Sequence, residues 1–248
     1  MRLIFLVIFQ LWLADVSADY ICHLRNVSMN YIYSDAVAIV EIKSAYSNSA
    51  KDRYYKSDVV VEQSFKGSPF QSILVSGTIS GHSVCGDRYF PIGSRILIFG
   101  SKINGNVTID KCSLVMYINE LDLSELTQIM NLLLKLQKQE HPKIPFIAME
   151  WNEDEVNSKL KYQLGGKNIN ENHEAVFKVY LDLALQVTKV ETIQSWGEEN
   201  DQIVQNILKE AIFSQSKMFE RIFILDNYYW ILHVKRQKAD RGIWFRCY

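Results

Sequence analysis

Between Ser34 and Cys112 the chain passes through about five segments of β type set off by turn residues, and from Leu121 the apolar period changes to that of a helix. "SDAVAIVEIKSAY" (Ser34 to Tyr46) and "KSDVVVEQSFKG" (Lys56 to Gly67) read as two long strands, with a polar loop around residues 47–53 between them. Ile73 to Ser76 is a short strand. Ser94 to Gly100 and Asn106 to Cys112 then flank Asn104-Gly105, the dipeptide that favours a tight hairpin turn. Strands of this number with short turns suggest a small barrel. "LDLSELTQIMNLLLKLQ" (Leu121 to Gln137) follows with its leucines and isoleucine at helical spacing, and Asp122 or Ser124 is the expected N-cap. One helix closes this half.

"EHPKIP" (Glu140 to Pro145) carries two of the four prolines, and residues 139–172 are expected to be a linker or irregular segment. Beyond it, "EAVFKVYLDLALQVTKVETIQS" reads as a strand pair, "EENDQIVQNILKEAIFSQ" as an amphipathic helix and "YYWILHVKRQ" as a final strand. Residues 173–248 are therefore expected to form a small α+β domain of β-β-α-β order. A hydrophobic content of 48% over 248 residues is enough for a full core, which argues against global disorder.

Residues 1–18, "MRLIFLVIFQLWLADVSA", have one basic residue, an apolar run from Leu3 to Ala14, and Val16 and Ala18 where small residues precede a signal-peptidase cut. The run falls short of the roughly 20 residues that span a bilayer, so it reads as a cleaved secretory signal, with no stable membrane insertion afterwards. A secreted or periplasmic location follows. Export makes disulfides possible for Cys22, Cys85, Cys112 and Cys247.

Lysine and arginine number 27 against 28 aspartates and glutamates, so no net field recommends nucleic acid as a partner. The five histidines, His23, His82, His141, His173 and His233, are scattered without metal-ligand spacing, and no metal or cofactor is expected. No nucleophile-elbow, phosphate-loop or dinucleotide-binding pattern is present, and no catalytic residue is nominated. The acidic run "EWNEDE" (Glu150 to Glu155) reads as a solvated face. Asn26-Val27-Ser28 and Asn106-Val107-Thr108 fit the N-glycosylation triplet, a pattern common by accident that matters only in a eukaryotic secretory pathway.

Residues 19–138 resemble the inhibitory N-terminal domain of the tissue inhibitors of metalloproteinases, the netrin-module type of OB-fold barrel. The resemblance lies in Cys22, "SDAVAIVEI" at Ser34 to Ile42, "VVVEQSFKG" at Val59 to Gly67, "SVCG" at Ser83 to Gly86, "ILIFG" at Ile96 to Gly100 and "NGNVTIDKCS" at Asn104 to Ser113, followed by the helix near "LSELTQIM". It implies a five-stranded OB-fold barrel and a partner-binding ridge made of Tyr20, Ile21, Cys22 and His23 with His82, Ser83 and Val84. In that family an N-terminal Cys-X-Cys chelates a proteinase's zinc. Here Tyr20 stands at the first cysteine's position and Cys22 at the second's. The same register implies Cys22 paired with Cys112 and Cys85 with Cys247, the alternative being Cys22 with Cys85 and Cys112 with Cys247. Residues from Glu174 to the final strand are similar to the C-terminal domain of TonB-type periplasmic proteins, without the membrane anchor and proline-rich span of an energy transducer.

The expected function is that of an exported, non-catalytic binding protein with a protein partner. A proteinase inhibitor acting through the N-terminal ridge is the first alternative, and a periplasmic TonB-like interaction protein the second.

Overall fold

Two apolar runs organise the structure, because neither alternates. Ala36 to Val40 and Ile96 to Phe99 are buried at every position, and a strand without a polar face must be covered on both sides. In the computed structural model, which describes residues 26–47, 53–79, 88–139, 149–167, 169, 174–215, 228–239 and 242–247, these runs belong to strands β1 (Ala36–Ser47) and β4 (Arg95–Ile103). With β2 (Tyr54–Lys66), β3 (Ser72–Ser76) and β5 (Asn106–Ile109) they close a five-stranded barrel in the order β1-β2-β3-β5-β4, β4 returning to β1. All contacts around the barrel are antiparallel except β3 with β5. This is an OB-like barrel. Its interior is filled from β1 by Ala36, Ala38, Val40 and Ile42, packed against Tyr55, Ile73, Val75, Ile96, Ile98 and Ile109.

The opposite faces of β1 and β4 present Val37, Ile39, Leu97 and Phe99 to a second core. Two helices cover them: α1 (Val27–Tyr33), ahead of the barrel, and α2 (Leu123–Gln137), behind it. Asn26 caps α1 through a bond from the Met29 N–H at 2.8 Å. At its other end the Lys66 ammonium donates to the Tyr31 and Ile32 carbonyls at 2.7 and 2.8 Å, which satisfies terminal acceptors and complements the helix dipole. Asp122 caps α2, whose Ile129, Leu132, Leu133 and Leu136 are buried. The sequence patterns do not single out α1, which is two turns long, or β6 (Val115–Tyr117), a short strand paired with β4.

The C-terminal half has the expected β-β-α-β order in β8 (Ala175–Leu181), β9 (Val187–Gln194), α4 (Glu198–Lys209) and β11 (Tyr228–Ala239). Tyr228 to Ala239 is not the final strand: β12 (Gly242–Cys247) pairs with it, giving the sheet order β12-β11-β8-β9. Part of the segment expected to be a linker or irregular is ordered. It contains β7 (Met149–Trp151), paired with β10 (Phe213–Gln215), and helix α3 (Glu153–Leu164). Val156, Leu160 and Leu164 recur at helical spacing and pack with Val204, Ile207 and Leu208 of α4 on one face of the sheet. Glu153, Asp154 and Glu155 are exposed in the first turn of α3, where the helix dipole favours them. The part of the acidic run from Glu153 to Glu155 is thus a solvated helix start.

The sheet's other face, with Val176, Ile193, Tyr229 and Ile231, joins the second core. The barrel and the small sheet are therefore layers of one packed structure, with α1 and α2 between them. Among the described residues no helix is long and apolar enough to cross a membrane.

Candidate functional site

A cleft of about 460 Å³ opens where these layers meet. Its walls come from four places: Asn26 and Val27 at the start of α1, Leu114 and Met116 beside and on β6, the first turns of α2, and one end of the small sheet at Glu174, Gln194, His233 and Lys235. Each wall is positioned locally. Strand alternation turns His233 and Lys235 to the same face as Tyr229 and Ile231, toward the barrel, while Tyr228, Leu232 and Val234 enter the other core. Gln194, at the end of β9, donates to the Glu174 carbonyl at 2.8 Å and ties that corner together.

At the back of the cleft His233 is 2% exposed. Its Nδ1 lies 2.9 Å from Glu174 Oε2, and its Nε2 lies 3.0 Å from Ser28 Oγ. With the proton on Nδ1, the ring donates to the carboxylate and accepts from the serine hydroxyl, so both nitrogens are satisfied. Lys235 places its ammonium 3.4 Å from the other Glu174 oxygen. Serine, histidine and carboxylate in this order have the geometry of an activated nucleophile. Accessibility decides otherwise: Ser28 is 0% exposed, in the first turn of α1, and no reacting carbon can reach its hydroxyl. The constellation instead bridges α1 to the sheet across 205 residues of sequence.

Toward solvent the cleft changes character. Leu114, Met116, Ile129 and Leu132 supply an apolar floor, and Asp122, Ser124, Glu125, Gln128 and Lys235 a polar rim. Asp122 and Ser124, weighed in the sequence as alternative caps, both line it, with Asp122 as the cap.

The residues expected to form a partner-binding ridge, Tyr20, Ile21, Cys22, His23, His82, Ser83 and Val84, lie outside the described residues. So does Cys85. Cys112 is disulfide-bonded, and the side chains of the other three cysteines lie outside the described residues, so both pairing schemes stand. Of the scattered histidines only His233 falls within the described residues, and the fold gives it partners that no local motif encodes. A usable signal existed: a histidine at a core-facing position of a strand needs buried partners.

The fold and site define a class: an OB-like barrel backed by a small α+β sheet, with an amphipathic cleft at their junction. Compared with protein-family models and with curated proteins, the chain matches none.

Proposed function

We propose that the chain is an exported, non-catalytic binding protein whose partner is another protein, engaged in the cleft between the barrel and the small sheet. The composition of that cleft carries the reading. An apolar floor centred on Met116 and Ile129, ringed by charges of both signs and by amides, has the anatomy of a protein-binding surface. Methionine at such a floor adapts to varied side chains. His233, the group best suited to proton transfer, is committed to Glu174 and Ser28 and holds the cleft in shape. The leader-like start supports export, as does the disulfide at Cys112, since such bonds persist in oxidising compartments.

The test places a photo-crosslinking residue at Gln128, on the cleft rim, or at Tyr162, 91% exposed on α3 in the opposite layer. The exported protein is illuminated among the proteins of its own compartment. One adduct is expected from position 128, absent from position 162 and lost with Met116→Asp in a chain whose circular dichroism is unchanged. Equal adducts from both positions, or indifference to Met116→Asp, would overturn the proposal. Labelling of Ser28 by a serine-directed phosphonate would replace it with a hydrolase.

A further inference from the structure

The two glycosylation triplets are alike in sequence and both bury their hydroxyl residue, Ser28 or Thr108, but the fold treats their asparagines oppositely. Asn26 is 7% exposed. Its side-chain oxygen accepts from the Met29 N–H at 2.8 Å, and its carbonyl accepts from the Asn30 backbone N–H and side-chain amide at 3.1 and 2.8 Å. Ser28, which completes the triplet, is fully buried against His233. A sugar on Asn26 would have to leave through the cleft whose wall that residue forms, and would fill it.

Asn106 begins β5 at the tip of the β4–β5 hairpin and is exposed. The turn before it has Asn104 at φ 49° and Gly105 at φ 82°, the left-handed pair of a tight hairpin turn, which lifts the tip from the barrel wall. A Cβ built on Gly105 meets nothing within 4 Å, so the space around the tip is open. Directly across the ladder from Asn106 is Ile103, 46% exposed. A glycan here would shield an apolar side chain that the fold leaves in water. No residue of the tip lines the cleft.

We propose that Asn106 is an N-glycosylation site and that Asn26 is not, an inference that rests on the export reading, with export through a eukaryotic secretory pathway. In the transfer step the Asn106 amide nitrogen attacks the anomeric carbon of a lipid-pyrophosphate-linked oligosaccharide. The new C–N bond forms, the sugar–pyrophosphate bond breaks, the lipid pyrophosphate leaves and the amide proton passes to a base on the transferase.

The full chain is expressed in cultured eukaryotic secretory cells behind its own residues 1–18 and, separately, behind a leader of known function. Medium and lysate are then treated with peptide N-glycosidase. The expected result is secreted protein with a single one-glycan mobility shift, unchanged in Asn26→Asp, which keeps the cap, and abolished in both Asn106→Gln and Thr108→Val. Secreted protein without the shift, behind either leader, overturns the site, and secretion behind the chain's own residues 1–18 leaves export standing. A shift that survives both Asn106→Gln and Thr108→Val also overturns it. Cytosolic retention behind the chain's own leader overturns the export reading, and the known leader then decides the site by itself.

Discussion

Tyr55 and Tyr229 are 1% and 3% exposed, and burial is the main reason that the pKa of each is pushed up to about 12. For Tyr229 the neighbouring Tyr180 and Tyr228 act in the same direction. For Tyr55 the bond it accepts from the Phe90 N–H at 2.9 Å works against burial and is outweighed. Both folded values lie above 10.0, the ordinary tyrosine value that stands for the unfolded chain. Each tyrosine therefore contributes stability that is fully present below pH 10 and is lost as pH rises from 10 toward 12. Urea midpoints measured across that window should fall steeply, and less steeply in Tyr229→Phe. A flat profile in the native chain would mean that these hydroxyls reach water. Tyr229 also stacks under the Lys178 ammonium at 4.1 Å, and burial holds that lysine below its ordinary range. The ring's negative face offsets part of the lysine's lost hydration.

Among the elements, α2 carries the most consequence because it covers the outer faces of β1 and β4, fills the second core and forms a cleft wall. Its four buried residues are Ile129, Leu132, Leu133 and Leu136, the last two wholly inaccessible. Leu133→Ala should cost about 2–5 kcal/mol, read from chemical denaturation, since a leucine packed on all sides leaves a cavity. A loss below about 0.5 kcal/mol, the size of an ordinary surface substitution, would contradict the packing. This helix was legible in its leucine spacing and in Asp122, because cap and period are local signals. The five barrel strands and the β8–β9 pair were legible for the same reason. Helix α1 was not: at 7 residues it is too short to show a period, and contacts from the barrel and small sheet support it. Strands β6 and β7 span 3 residues each and exist through their partners β4 and β10.

On the scale of the whole molecule, the second core decides how the chain responds to stress. Val176, Ile193, Tyr229 and Ile231 from the small sheet and Val37, Ile39, Leu97 and Phe99 from the barrel belong to it together. Loss of either layer would expose the apolar face of the other. Equilibrium unfolding should accordingly be a single transition, with a barrel probe at Tyr89 and a sheet probe at Tyr162 giving coincident curves. Two resolved transitions would show layers that fold separately, as a chain of two domains joined by a linker does. Local order in the sequence determined the barrel strands, their Asn104-Gly105 hairpin, the closing helix and the β-β-α-β succession, because turn preference, capping and strand or helix period act between near neighbours. Only the tertiary structure decided that Asn26 is a buried cap while Asn106 stands in solvent, that α3 packs within a segment expected to be irregular, and that Ser28, Glu174 and His233 meet. The pairing of Ser28 with His233 spans 205 residues. Its physical origin is the stacking of two layers whose apolar faces had no other cover, and stacking of that kind leaves no periodic trace in either segment.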